Sequence, residues 1–460
     1  MRQDIRDRSR DLLRDDKLQD NLRRALGHTL DRRAALVAEN PGWAELRDRA
    51  RDLRDESLRR LPELRAQVER QVRGRGGGFH FCRDAAEARA RVIEILDRAG
   101  AVEVVKGKSM VSEEIALNAA LEARGIAVFE GDLGELIVQL RGERPAHITA
   151  PALHLDRRQI AALFRRALGQ DVDDDPVRLA AAARRFLRPH FLGADAGITG
   201  ANFVVAESGS VVLVENESNI RLATTLPRLH IAITGIEKLV PRLADLAPLL
   251  ALLPVSATGQ KASAAVSILG GPRPSGEDDG PREFHLVLVD NGRQALISDP
   301  ILRPALRCIR CGACLNVCPV FQRIGGHGYG AIYPGPIGVV LARALLGRSD
   351  GAHAFACSLC GACDEICPVQ VPLSRLILEV RRRAQQDAGV TAERMAHAAF
   401  AEMAQWPRLF KMALAASRAA IRWWPRWFST SLTGGWTDLR AWPRPRRDGE
   451  LRRRTGSGAT

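Results

Sequence analysis

Residues 101–131 read AVEVVKGKSMVSEEIALNAALEARGIAVFEG, and their pattern decides the fold of the middle of the chain. AVEVVKG (101–107) is rich in β-branched residues and predicts a strand. SEEIALNAALEARG (112–125) places apolar residues at helical spacing and stops at Gly125, so it predicts one helix. IAVFEG (126–131) predicts the next strand. Strand, crossover helix and strand form a βαβ unit, which implies a mostly parallel sheet covered by helices.

The same rhythm extends over 79–300. ANFVVAESGSVVLVENES (201–218) predicts two strands joined by a tight turn at Ser208-Gly209, and LHIAITG (229–235) a buried strand. GGPRPSGEDDGPREFH (270–285) concentrates turn residues and charge ahead of a further strand, HLVLVDNG. On the N-terminal side, Leu18, Leu22, Leu26 and Leu30, then Leu46, Leu53, Leu58 and Leu61, mark two helices separated by Asn40-Pro41-Gly42. Residues 1–73 thus read as a helical arm, RGRGGG (73–78) as a boundary, 79–300 as an α/β domain, 301–385 as a cysteine-bearing domain, and 386–460 as a helical region with a basic tail. A helix over Met403–Trp427 would carry Lys411, Arg418, Arg422 and Arg426, and WWPRWF (423–428), Trp436 and Trp442 add aromatics. That region fits an acidic partner or an anionic membrane surface, and no nucleic-acid fold accompanies it. The last twenty or so residues are expected to be poorly ordered.

Hydrophobic residues form 46% of the chain and charged ones 27%, the balance of a soluble globular protein. The N-terminus MRQDIRDRSRDLLRDDK has no apolar segment, and the longest apolar run, LADLAPLLALLPV (243–255), contains Asp245 and is too short to span a bilayer. The expected location is the cytoplasm, with peripheral contact at the inner membrane face as an option. The formal charge is +14, mostly arginine.

Eight of nine cysteines fall in two copies of C-x₂-C-x₂-C-x₃-C-P: Cys308, Cys311, Cys314, Cys318 and Cys357, Cys360, Cys363, Cys367. Two-residue gaps let one tight loop present three thiolates, with Gly312 and Gly361 easing the turn. The fourth cysteine is expected to start a helix with proline at its first position. In two-cluster ferredoxins that cysteine serves the other cluster. The pattern therefore predicts two [4Fe-4S] clusters, one on Cys308, Cys311, Cys314 and Cys367 and the other on Cys357, Cys360, Cys363 and Cys318. Structural zinc prefers two separated pairs, and disulfides do not suit a reducing compartment. Cys82 reads as a small buried residue. Each cluster with its thiolates carries about −2, which offsets roughly four of the positive charges. GGHGYGAIYPGPIG (325–338) suggests a rigid loop against the clusters, with His327 structural, and VVLARALLG a helix after it.

These motifs, together with GITGANFVVAESGSVVLVENESN (197–219) and TTLPRLHIAITGIEKLVP (224–241), resemble the lactate utilisation protein B family over nearly the whole chain. The resemblance implies an iron–sulfur component of a three-part bacterial system that oxidises L-lactate to pyruvate. Its partners would be a cysteine-rich-domain protein and a second protein with the same α/β domain. It also implies that this domain is similar in fold to the ribose-phosphate isomerase (NagB/RpiA) and CoA-transferase group, followed by an α-helical, ferredoxin-like two-cluster domain.

Whether the α/β domain does chemistry is left open by its residues. Lys106 and Lys108 are expected in a loop ahead of a helix capped by Ser112, with Glu113 and Glu114 in its first turn, where a carboxylate such as lactate could bind. GITG reads as a glycine turn. Glu215 and Glu217, two apart on a strand, share a face and are weak candidates for a base, as Lys106 is for binding. No residue here accepts a hydride. The leading reading is an electron-transfer subunit. The alternatives are a 2-hydroxy-acid site in the α/β domain itself, or a redox-sensing or structural iron–sulfur protein.

Overall fold

The computed structural model describes residues 5–347, 351–389 and 392–423. The chain divides into two units, 1–384 and 385–460. In the first, ten strands form two sheets: β1 (Gly78–Cys82), β2 (Glu103–Lys106), β3 (Ala127–Glu130), β4 (Ala196–Thr199), β5 (Phe203–Val205), β6 (Ser210–Glu215), β7 (Leu229–Gly235), β8 (Leu239–Val240), β9 (Ala265–Leu269) and β10 (Glu283–Val289). The larger sheet has the order β1-β10-β7-β4-β2-β3 and every pair in it is parallel. The smaller runs β8-β5-β6-β9, with β5 and β6 as the antiparallel hairpin expected at Ser208-Gly209.

A parallel sheet covered on both faces needs continuous apolar strands, and β7 is buried at every position. On one face, Ala88, Val92, Ile95 and Leu96 of the helix Ala85–Arg98 pack on Val104, Ile198, Ile231 and Val287. On the other, helices Arg157–Leu168 and Pro176–Gly193 bring Leu163, Phe164, Leu187 and Phe191 around Val105. Burying each such side chain stabilises the fold by about 1.5–3 kcal/mol.

Three local expectations change. The helix expected over 112–125 is two, Met110–Glu114 and Leu117–Glu122, broken at Ala116 with φ of 52°. The break leaves Ile115, Leu117 and Leu121 all in the core while Glu114 turns toward Arg293. The cap is Ser109, whose Oγ accepts the Ser112 N–H at 3.2 Å, rather than Ser112. GITG is not a turn. Its first three residues lie in β4, where a Cβ on Gly197 would come within 1.7 Å of the Ala223 carbonyl, so glycine admits the helix Asn219–Thr225 against the strand.

The N-terminal region holds four helices, Ile5–Leu12, Asp16–Ala38, Trp43–Arg59 and Leu61–Gly74. The break at 40–42 is as expected, and Pro62 restarts the chain near the beginning of the fourth. Leu22, Leu26, Leu58 and Leu64 join one core with the small sheet and with Leu315, Phe321 and Leu376 of the cysteine region.

In the second unit the expected single helix over 403–427 is interrupted. One helix ends at Ala404 and another starts at Pro407 and runs to Trp423, because proline lacks the N–H that continuation requires. Trp424, Trp427, Trp436, Trp442 and the basic tail, with the expectations placed on them, lie outside the described residues. Among the described residues no helix is long and apolar enough to cross a membrane.

Candidate iron–sulfur sites and the adjoining cleft

The two cysteine motifs fold alike. Left-handed residues bend each loop at matching places, Arg310 and Gly312 (φ 61° and 80°) and Leu359 and Gly361 (φ 56° and 81°). The Arg310 N–H points at Cys308 Sγ at 3.4 Å and the Leu359 N–H at Cys357 Sγ at 3.3 Å. Short helices Ala313–Val317 and Ala362–Ile366 carry the third cysteine. The fourth ends that helix rather than starting the next. Pro319 and Pro368 enter a turn, and helices resume at Phe321 and Leu373.

Two cavities result. Cys308, Cys311 and Cys314 line one together with Cys367. Cys357, Cys360 and Cys363 line the other together with Cys318. Ile337 and Leu373 face the first cavity while their chain neighbours Pro336 and Ser374 face the second, so the two lie back to back across single residues.

The donor set fits iron–sulfur cubanes. Each cavity gathers four sulfurs among mostly apolar neighbours. Among the described residues no three cysteine sulfurs lie within 4.8 Å of one another, whereas four sulfurs on one tetrahedral zinc would sit about 3.8 Å apart. Burial holds the thiols protonated, raising Cys311, Cys314 and Cys363 and pushing Cys367 up to about 11, so ligation must displace those protons. Cys82 is 1% exposed at the end of β1 and lines neither cavity.

The N-terminal arm closes over the last ligand. Arg33 donates to the Ile366 carbonyl at 3.1 Å and Arg47 to the Cys367 carbonyl at 2.9 Å. From 325–338, Tyr329 brings its hydroxyl 3.9 Å from Cys318 Sγ, and His327 Nε2 donates to the Arg144 carbonyl at 2.7 Å. This segment is partly helical, within Phe321–Tyr329, and the expected helix after it spans Gly335–Leu346.

A buried charge network joins the first cysteine loop to the α/β domain. Arg293 grips Glu114 at 2.8 and 2.9 Å and Glu237 at 2.5 Å, and Arg310 reaches Glu237 at 3.3 Å. Tyr333 donates to Glu114 at 2.6 Å while its ring lies 4.7 Å from the Arg310 guanidinium. Arg54, fully buried, donates to the Leu306 and Arg307 carbonyls at 3.0 and 3.2 Å. The arginines draw Glu237 down to about 2 despite its burial.

Beside this network lies a cleft of about 260 Å³, past the carboxyl ends of β2, β4 and β7. The chain leaves β2 toward β3 and leaves β4 toward β7 on the opposite side, so adjacent β2 and β4 mark a switch in winding direction. That is where open parallel sheets place ligands. Ile148, Ile309 and Arg310 line both the cleft and the first cysteine cavity.

The expected site residues divide. Lys106 ends β2, is 1% exposed and pairs with Glu130 at 2.8 Å and Glu113 at 3.4 Å, so it is neither in a loop nor in the cleft. Lys108 lines the cleft, paired with Glu135 at 3.1 Å. Glu215 and Glu217 both line it but do not share a strand face, because β6 ends at Glu215. Glu215 is buried and accepts the Ile220 and Arg221 N–H groups at 3.0 and 3.2 Å, holding the start of a helix. Glu217 accepts the Leu133 N–H at 3.3 Å, and burial with nearby Asp132 raises its pKa. Sequence reading missed Lys238, Glu237, Arg293, Tyr333 and Arg310. Arg310 is set between two ligand cysteines, and Glu237, Lys238 and Tyr333 lie in stretches that carried the resemblance, whereas Arg293 carried no signal.

The LUD domain family matches residues 65–289, and the 4Fe-4S dicluster domain family matches 304–371. The chain is 43% identical to "Uncharacterized electron transport protein YkgF" of Escherichia coli over 85% of its length and 82% of that protein. It is 43% identical to "Lactate utilization protein B" of Macrococcus caseolyticus (88% and 86% covered) and 44% to that of Shouchella clausii (80% and 78%). A solved structure of a DUF162 family protein from Deinococcus radiodurans covers 50% of this chain and 98% of its own at 16% identity, with a TM-score of 0.29, too distant to bear on the site. With its parallel α/β domain, its helical dicluster region and two [4Fe-4S] clusters held by the eight motif cysteines, the chain belongs to the lactate utilization protein B family.

Proposed function

We propose that this chain is the electron-transfer subunit of a multi-protein system that oxidises L-lactate to pyruvate. The observation that carries the reading is the placing of two back-to-back cysteine cavities, one sharing a wall with the cleft and the other reaching the surface at exposed Ser358 and Cys360. When bound, two [4Fe-4S] clusters supply one-electron carriers at these positions. The names of its relatives supply the substrate, lactate, and the role, electron transport.

The ligation is crossed, each motif giving three cysteines to one cluster and its last to the other, as the lining of the two cavities supports. The residues do the holding. Arg310 and Leu359 turn the loops and direct amides at sulfur, while Arg33 and Arg47 fix the segment bearing Cys367. Exposed Phe355 and Leu378 supply apolar surface on which a partner subunit can dock. Those partners are a cysteine-rich-domain protein and a second protein with the same α/β domain, in the cytoplasm. The α/β domain is of the isomerase and CoA-transferase type.

The test is anaerobic mixing of the cluster-loaded chain with L-lactate. The cluster absorbance should stay unchanged for the chain alone and bleach when the partner subunits are added. Bleaching without partners overturns the carrier assignment and moves the oxidation into this chain.

A further inference from the structure

We infer that the cleft beside the first cysteine cavity is a binding site for a small hydroxy- or ketocarboxylate, with Lys238 and Arg310 as its anion-holding groups. The cleft leaves polar groups without partners. Lys238 is 5% exposed, lines the cleft, and makes no side-chain hydrogen bond or ion pair among the described residues. The Arg310 side chain is 10% exposed and, although one nitrogen reaches Glu237 and the guanidinium lies over Tyr333, its Nη1 is buried without a hydrogen-bond partner among the described residues. Burial and the Arg310 charge lower the Lys238 pKa to about 7, and an anion between these two groups favours its charged form through charge-assisted hydrogen bonds.

The other walls narrow the class. Glu215 Oε1 is buried, lies 3.8 Å from Arg221 Nε and accepts no hydrogen bond among the described residues, so it can take a hydroxyl proton donor from the ligand. Asn202 accepts the Val214 N–H through Oδ1 at 2.9 Å, which leaves its amide N–H groups to donate. Asp132, Glu215, Glu217 and Glu237 also border the space and oppose a phosphate dianion more than a monocarboxylate. The volume, about 260 Å³, is below the usual range for drug-sized ligands and too small for a dinucleotide. Because Arg310 and Ile309 belong to both walls, a bound acid lies next to the first cluster site.

The choice of L-lactate and pyruvate as probes rests on the function proposed above, whereas the site does not. Calorimetric titration of the oxidised, cluster-loaded chain should show saturable binding of L-lactate or pyruvate, weakened about tenfold to a hundredfold by Lys238→Met. Iron content should stay at the wild-type value, and Lys238→Arg should restore part of the affinity. If Lys238→Met fails to hold iron, Asn202→Asp serves instead, keeping the Val214 bond while setting a negative charge against the ligand. The inference is overturned if the wild-type chain binds neither acid, if both variants bind as the wild type does, or if inorganic phosphate binds as tightly. None of these readouts uses a partner subunit or turnover, so the site can fail while the electron-transfer assignment stands, and the reverse.

Discussion

The two cysteine loops share a spacing, a pair of left-handed turns and an amide aimed at the first sulfur, yet they sit in different surroundings. The first is enclosed, with Cys311 and Cys314 buried and Arg33, Arg54, Lys238 and Arg310 acting on its sulfurs. The second has Cys360 exposed and a carboxylate oxygen of Asp364 3.7 Å from Cys363 Sγ. Near the first loop, three arginines (Arg54, Arg293, Arg310) face two carboxylates (Glu114, Glu237), an excess of one, while burial lowers the Lys238 pKa to about 7. One motif thus serves two electrostatic settings. Cluster potential depends on charge, hydrogen bonds to sulfur and exposure, so the two sites should be inequivalent.

The comparison fails at its root if the ligand sets are not crossed. Cys318→Ser and Cys360→Ser should each reduce iron from about eight to about four atoms per chain and leave identical spectra of the reduced protein. A Cys318→Ser spectrum that instead matches Cys311→Ser assigns Cys318 to the first cluster. A smaller but still large effect is expected from Arg293→Met, which strands Glu114 and Glu237 without their buried partner. It should cost about 3–5 kcal/mol in unfolding free energy and release iron from the first site preferentially. Exposure sharpens the contrast further. In air, iron release to a chelator should be biphasic, and the fast phase should be missing from Cys360→Ser. The smallest change expected is in potential. Burial lowers the Lys238 pKa to about 7, so below that pH Lys238→Met removes one cation from the first site and should lower only one of two midpoints, by on the order of 1 kcal/mol, roughly 40 mV for one electron, an effect that fades as the pH rises past 7. Equal shifts in both would show that the charge network does not distinguish them.

Much of this was legible in the chain. Parallel pairing followed from 101–131, and the eight ligands followed from spacing, because both depend on short-range periodicity. The charge network was not legible. Glu114, Glu237, Arg293 and Arg310 are far apart in sequence and each resembles a surface residue until the fold brings them together. Lys106 failed for a related reason. It reads as a loop lysine, but Glu130 on the neighbouring strand holds it inside. Glu215 and Glu217 read as sharing a strand face because the sequence pattern carries the strand past its end at Glu215.

Each cavity draws its fourth sulfur from the other motif's loop, with 38 residues between Cys318 and Cys357, and helices made first during synthesis hold the carbonyl of Cys367, the last ligand made. On the crossed ligation proposed above, a nascent chain that ends before Cys367 has no complete four-sulfur set for the first site, and the second, whose last sulfur is Cys363, also needs Cys318. Metal loading of the pair then waits until Cys367 has been made, and a chain truncated between Cys314 and Cys367 is left with three first-site thiols open to oxidation.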